Sequence, residues 1–357
     1  MMTASQVAAR IVADGVAPAC AAGWAAGATA TRSPGRDAGG DTDVLFDLAS
    51  VTKPMTALAF VRANIDPATP LGDLLPEARG TASERAPVEM LLAHRAGLDA
   101  HRTLYEPLVS GPPGARVDVT AALREAANAR RADAQGPPPP AGFAPIYSDL
   151  GYLLAGEGLA RAVGARDAGE AIGRLVLDPL GLAGRAGTVR DLEAQGVVGP
   201  FAPTETVGWR GGPVVGAVHD ENAWALTGKG GSGHAGIFGT VDAVLTFGAA
   251  VLREIEDLQW LIRERPGGTL RAGFDGKSPP PEASSAGTLM GPRAIGHLGF
   301  TGTSLWLDPD AGVVVVLLTN RVCPTRAHIA IRGARPWAHD ALFRIAASQG
   351  GRPDTGT

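Results

Sequence analysis

Ser50 and Lys53 stand three residues apart in Phe46-Asp47-Leu48-Ala49-Ser50-Val51-Thr52-Lys53-Pro54-Met55-Thr56, at the head of an apolar helical stretch. On a helix this spacing puts the hydroxyl and the amine on one face, one turn apart. A serine hydroxyl is a poor nucleophile without an adjacent base. A lysine can be that base once burial lowers its pKa, whereas an arginine stays protonated. Pro54 suits the register because its missing N–H falls in the first turn, where no intrahelical bond is lost. The helix start also adds unpaired N–H groups and a partial positive charge beside the reacting centre. The chain has only three lysines, Lys53, Lys229 and Lys277, among 32 basic residues. A lysine at this point is consistent with chemistry that needs a removable proton. Taken alone, the pair reads more readily as a serine N-cap and a solvated lysine.

Two further segments change that balance. Pro145-Ile146-Tyr147-Ser148-Asp149-Leu150-Gly151-Tyr152 follows a proline-rich stretch and precedes a helix carrying Leu150, Leu153, Leu154 and Leu159. Tyr147 is thereby placed on a stiff loop, where its phenol can carry a proton beside a serine and a lysine. The structural alternative is that Tyr147 packs and Ser148 or Asp149 caps the helix. Gly296-His297-Leu298-Gly299-Phe300-Thr301-Gly302 lies on the first strand of a C-terminal meander. Gly299 permits the close backbone approach that a substrate-docking strand requires. A substrate carbonyl could then lie between the backbone N–H groups of Ser50 and Phe300, an oxyanion hole.

Ser-x-x-Lys, then Tyr-Ser-Asp, then His-x-Gly, in that order, resembles the serine family of class C β-lactamases, D-alanyl-D-alanine carboxypeptidases and related esterases of penicillin-binding-protein type. Leu91-Leu92-Ala93-His94-Arg95-Ala96-Gly97-Leu98, Asp178-Pro179-Leu180-Gly181-Leu182 and Gly233-His234-Ala235-Gly236-Ile237-Phe238 are similar to that family as well. The resemblance covers about residues 16–347. It implies an α/β (α+β) fold: an antiparallel sheet flanked by helices, a helical subdomain, and a site in the cleft between them. It also implies that Ser50 is acylated, that Lys53 and Tyr147 manage its proton, and that Asp149, His297, Gly299 and Phe300 contact the substrate.

The chain departs from the family pattern in two places. Asp149 stands where the family usually has Asn; an ionised carboxylate there would raise the Lys53 pKa and shift proton transfer toward Tyr147. His297 and Leu298 replace the Lys and Thr or Ser of many relatives, which removes groups suited to a substrate carboxylate. Neutral short-chain esters are therefore expected to react faster than carboxylate-bearing β-lactams or D-alanyl peptides.

The elements that must position these residues are legible in outline. Val7, Ala8, Ile11 and Val12 share one face of an N-terminal helix. Val16–Gly27 reads as a strand, Thr31–Asp43 as a Gly-, Asp- and Arg-rich loop, and Val44–Ala49 as the lead into the Ser50 helix. Short helices separated by Pro and Gly breaks fill residues 66–235. A helix runs from Val241 to about Trp260, strands occupy Ile295–Phe300, Ser304–Leu307 and Gly312–Thr319, and a last helix spans Pro336–Ala347. The expected organisation is an α/β sheet domain from residues 1–65 and 236–357, with a mainly helical insertion over 66–235.

Composition excludes several other classes. A chain of 357 residues with 45% hydrophobic and 19% charged residues is neither disordered nor too small for a substantial core. Its net charge of −4 offers no field for nucleic acid. No apolar run is long enough to span a bilayer, and Met1–Gly15 lacks the pattern of a signal peptide; a cytoplasmic location is expected. Cys20 and Cys323 are too few for a disulfide framework. Gly228–Gly233 matches Gly-x-Gly-x-x-Gly without a βαβ context and reads as a flexible loop. His219-Asp220-Glu221-Asn222 reads as a loop at the cleft rim, not a metal site. No cofactor is expected. The expected partner is a small molecule or short peptide, with no nucleic acid and no membrane. The reading is an acyl-serine hydrolase of small esters or amides. Its alternatives are a β-lactamase or D-amino-acid carboxypeptidase, and a binding or sensor module that acylates slowly or not at all.

Overall fold

The computed structural model describes residues 2–27 and 34–348. The main sheet has six strands: β1 (Cys20–Ala26), β2 (Gly35–Gly40), β3 (Asp275–Gly276), β4 (Ile295–Leu298), β5 (Ser304–Asp308) and β6 (Val313–Thr319). Their order is β2-β1-β6-β5-β4-β3, with every neighbouring pair antiparallel. The helices that frame it and the site are α1 (Ala4–Ala13), α2 (Thr52–Arg62), α3 (Asp149–Ala162), α4 (Glu221–Thr227), α5 (Val241–Arg253) and α6 (Ile331–Ser348).

The unbroken apolar run of β6 follows from covering both faces of the sheet. Val313, Val315 and Leu317 join Cys20, Ala22 and Trp24 under α1 and α6. Val314, Val316 and Leu318 point the other way, into the cluster holding Val244, Leu245 and Phe247 of α5. A smaller sheet pairs Phe238–Gly239 with both Phe46–Asp47 and Ala186–Gly187, which fixes the segment entering Ser50. Buried Leu150, Leu153, Leu154 and Leu159 anchor α3 in the core, as their spacing predicts. Among the described residues, no helix is long and apolar enough to cross a membrane.

Several boundaries differ from the sequence expectation. The Thr31–Asp43 loop contains β2, paired in register to β1 with Trp24 opposite Asp37; residues 31–33 lie outside the described residues. Arg36 and Asp37 suit an exposed edge strand, and Gly39 is bare because a Cβ there would meet Ser5 of α1 at 2.4 Å or less. Val12 is exposed, unlike Val7, Ala8 and Ile11. The helix from Val241 stops at Arg253, and a short helix, Gln259–Ile262, follows, so that Leu258 and Leu261 re-enter the core. The last helix starts at Ile331, because Pro336 removes only one intrahelical bond while Ile331, Ala334 and Arg335 are buried. The segment read as flexible, Gly228–Gly233, is packed from Gly230 onward. A Cβ at Gly233 would lie 2.0 Å from the Tyr152 carbonyl oxygen. Cys20 is buried, Cys323 is partly exposed, and both are free.

Candidate active site

Ser50 sits in a single 3₁₀ turn, Ala49–Val51, that runs directly into α2. The preceding residue, Ala49, has φ 47°, a left-handed conformation that costs a non-glycine residue roughly 1–2 kcal/mol. Asp47 holds it there. One carboxylate oxygen accepts from the Ala49 N–H at 2.8 Å and the other from the His219 N–H at 2.7 Å. The resulting corner turns the Ser50 hydroxyl and N–H toward the cleft.

Lys53 is 0% exposed. Its Nζ donates to Ser50 Oγ at 2.7 Å, to Asp149 Oδ1 at 2.7 Å and to the His234 carbonyl at 3.4 Å. An ammonium has three protons, and three acceptors surround it. Burial works to lower the Lys53 pKa, but the Asp149 charge and the Tyr147 hydroxyl outweigh it, and the net shift is upward. The lowered pKa that the Ser-x-x-Lys spacing invites is therefore not what this site has. Asp149, 25% exposed on its side chain, is the physical reason.

Tyr147 lies between this cluster and the pocket. Its hydroxyl interacts with Lys53 and Ser50, and desolvation raises its pKa against the pull of Lys53. The ring is held by His94, whose centroid is 4.6 Å away. His94 has φ 60° and is buried; its Nδ1 accepts from the Ser148 N–H at 3.0 Å and its carbonyl from the Ile146 N–H at 3.2 Å. Burial, then the Lys53 charge, keeps the His94 pKa well below its ordinary value, so the imidazole is neutral and its Nδ1 can accept. Ser148 caps α3 through the Gly151 N–H, while Asp149 is free to face Lys53. In the sequence His94 stands only within a segment that resembles the family; its grip on both sides of Tyr147 is a tertiary fact.

His297 is on β4 opposite Leu305 of β5; the short β3 reaches β4 only at Ile295 and Gly296, and His297 lines the cavity just beyond that pairing. Its Nδ1 is 2.9 Å from the Leu298 carbonyl, which can only accept, so Nδ1 carries the proton and Nε2 is an acceptor. Burial, then Lys53, lowers its pKa to about 3. Gly299 is pressed onto the nucleophile segment: a Cβ there would lie 2.5 Å from the Leu48 carbonyl. Thr301 and Thr303 add hydroxyl bonds to the Asp47 and Leu48 carbonyls at 2.7 and 2.9 Å. The turn bearing Phe300 is thus fastened beside Ser50. Among the described residues, neither the Ser50 N–H nor the Phe300 N–H has a protein acceptor. Two such donors can hold a carbonyl oxygen that gains charge.

The cavity in front of Ser50 measures about 400 Å³ and is lined by Tyr147, Asp149, His297 and Phe300. It brings in Arg321, Arg332 and Arg335, which the sequence reading did not single out; nothing marks three arginines in a chain this rich in them. None of the three forms an ion pair among the described residues. Arg321 donates to the Phe300 carbonyl at 2.8 Å, and Arg335 to the carbonyls of Gly299 and Thr303 at 2.8 Å each. Arg332 is exposed.

The His219–Asn222 segment is not a rim loop. His219 and Asn222 are buried, Asp220 caps α4, and Glu221 begins it. Behind Lys53, His234 bridges Asp220 Oδ1 at 2.9 Å and Ser232 Oγ at 3.1 Å. Ser232 is only 6% exposed, so this Ser-His-Asp contact is shut away from the cavity. Among the described residues, no cluster of three or more His, Cys, Asp or Glu side chains could hold a metal ion.

The fold matches that of a class C β-lactamase from Rhodobacter sphaeroides, with 16% identity, a TM-score of 0.63, and 96% of this chain and 98% of the other covered. A family VIII carboxylesterase superposes with a TM-score of 0.63 at 18% identity, covering 95% of each chain. In sequence, the chain is 30% identical over 199 residues to a Salmonella schwarzengrund protein described as a “Putative D-alanyl-D-alanine carboxypeptidase”. That match takes in 49% of this chain and 45% of the relative, so the alignment spans about half the length of the curated relatives. The fold, the order of its motifs and a family model described as Beta-lactamase, which matches residues 6–336, agree: the chain belongs to the β-lactamase family.

Proposed function

We propose that the protein is an acyl-serine hydrolase of small esters or amides, with Ser50 as the nucleophile. The observation that carries this reading is the Lys53 ammonium, fully buried and 2.7 Å from both Ser50 Oγ and Asp149. In this reading the substrate carbonyl rests between the N–H groups of Ser50 and Phe300. Ser50 Oγ attacks it and passes its proton to the Tyr147 oxygen as that phenol gives its own to the leaving group. Lys53 stays charged and stabilises the alkoxide character that develops on Oγ. Neutral His297 offers Nε2 to a donor on the substrate, such as an amide N–H.

A second reading concerns substrate charge, and the arginines favour it. Asp149 and Lys53 neutralise one another, so the repulsion expected of Asp149 alone is offset. Arg332, Arg321 and Arg335 leave that side of the cavity positive. A carboxylate-bearing ester or amide would suit it, in line with the carboxypeptidase description of the sequence relative.

A fluorophosphonate probe tests the main reading. It should label Ser50 alone in the folded protein, and Ser50→Ala should abolish both labelling and ester hydrolysis. An adduct mapped to Ser148, Ser232 or Ser304, or no adduct at all, would end it.

A further inference from the structure

We infer that Asp149 is the general base that activates water to hydrolyse the Ser50 acyl-enzyme. This rests on the acyl-serine reading above and assigns the base that the second half of that reaction needs.

The argument starts from what Lys53 cannot do. With its three protons directed at Ser50 Oγ, Asp149 Oδ1 and the His234 carbonyl, it has no lone pair to offer water. It remains beside Oγ after acylation, where a proton donor is needed for the serine to leave. Tyr147 is neutral until its own proton goes elsewhere. Asp149 differs from both, being a standing carboxylate. One of its oxygens is engaged by Lys53, whereas Oδ2 accepts no hydrogen bond among the described residues. The side chain lines the same cavity as Ser50 and Tyr147 and is 25% exposed to it.

The distances suit a single intervening water. Ser50 Oγ and Asp149 Oδ1 are each 2.7 Å from the same nitrogen, so they are no further apart than twice that. A carboxylate so placed reaches an acyl carbon on Oγ through one water molecule. The backbone holds it there: Asp149 opens α3, its own N–H donates to the Ala100 carbonyl at 2.9 Å, and Ser148 caps the helix.

The step closes on itself. The water oxygen bonds to the acyl carbon and its proton passes to Asp149 Oδ2. The tetrahedral species then breaks its C–Oγ bond, and Oγ takes a proton from Lys53. Rotation of the carboxyl group about its Cβ–Cγ bond then brings the protonated oxygen to the neutral Lys53 amine, which takes the proton back and restores the contact now made by Oδ1. The products are a free acid, the Ser50 hydroxyl, the Lys53 ammonium and the Asp149 carboxylate. An asparagine cannot accept the water proton, so the Asn-to-Asp departure changes the chemistry of this half-reaction.

The test is rapid mixing of p-nitrophenyl butyrate with the full chain and with Asp149→Asn, followed by intact-mass analysis. The variant should release one equivalent of p-nitrophenol in a burst, then turn over about 10²-fold or more slowly than the parent. It should accumulate a butyryl adduct on Ser50, and hydroxylamine, which attacks without a base, should discharge that adduct. Asp149→Glu, which keeps the carboxylate, should turn over without accumulation. Asp149→Ser takes the same test if the amide variant does not fold. If the burst slows by the same factor as turnover, or the variant deacylates within a few-fold of the parent, Asp149 is not the base. If the parent never acylates at Ser50, the acyl-serine reading falls as well.

Discussion

The His219 N–H donates to the Asp47 carboxylate at 2.7 Å, and this bond joins the turn bearing Ser50 to the segment behind Lys53. The next residue, Asp220, binds His234, whose carbonyl receives a Lys53 proton. One dipeptide therefore sets the relative positions of the candidate nucleophile and its amine. Asp47→Asn keeps one carbonyl oxygen for two N–H donors and turns an NH₂ toward the other. The variant should lose about 1–3 kcal/mol of stability, with a larger fall in esterase activity than its melting curve accounts for. Unchanged activity at full folding would show that the left-handed Ala49 does not depend on Asp47.

Tyr147→Phe should lower turnover by about 10²-fold, the usual scale for a positioned proton carrier. The ring remains to pack against His94 at 4.6 Å, so the melting temperature should hold. Steady-state kinetics on one chromogenic ester is sufficient. Activity within a few-fold of the parent would reduce Tyr147 to a packing role.

Stability should fall on mild acidification. Burial lowers the pKa of His297 to about 3 and that of His339 to about 4, while both return to about 6.5 when the chain unfolds. A depressed folded-state pKa means that the unfolded chain binds the proton first. The stability from these two neutral rings is therefore complete above about pH 6.5 and declines as pH drops toward their folded values, by on the order of 1.4 kcal/mol per pH unit for each. His339 Nδ1 donates to the Ser285 carbonyl, so Nε2 of the neutral ring accepts from Ser304 Oγ; His339→Gln should flatten part of the slope. A melting temperature constant from neutral pH to about pH 4.5 would contradict this account.

Substrate charge separates the two readings of specificity. A unit charge about 4 Å away is worth roughly 1 kcal/mol in water and 4 kcal/mol at an effective dielectric near 20. Arg332→Ala should therefore lower kcat/KM for a carboxylate-bearing ester by about tenfold or more, while a matched neutral ester changes little. Equal losses for both esters would mean that Arg332 does not meet the substrate charge. A parent enzyme preferring the neutral ester would restore the expectation drawn from Asp149, His297 and Leu298.

The sequence by itself determined what depends on neighbours along the chain. The one-turn spacing of Ser50 and Lys53, the stiff Tyr147 loop ahead of an apolar helix, and the strands around Val313–Thr319 follow from periodicity and turn chemistry, and the structure contains each. The identity of Asp149 also foretold the direction of the Lys53 shift. Tertiary structure decided what depends on contacts between distant segments. β2 exists because β1 supplies its partner, although its own residues favour a loop. His94 grips Tyr147 from a segment more than fifty residues away, and Asp47 meets His219 across 172 positions. Three arginines converge on the cavity only because the segment after β6, which bears Arg321, and α6, which bears Arg332 and Arg335, come together at the turn that follows β4. Hydrogen bonds and Coulomb interactions act over a few ångströms of space, whatever the separation along the chain. Local patterns therefore carry the helices and the first pair of residues, while the fold supplies the charge balance and the alignment around them.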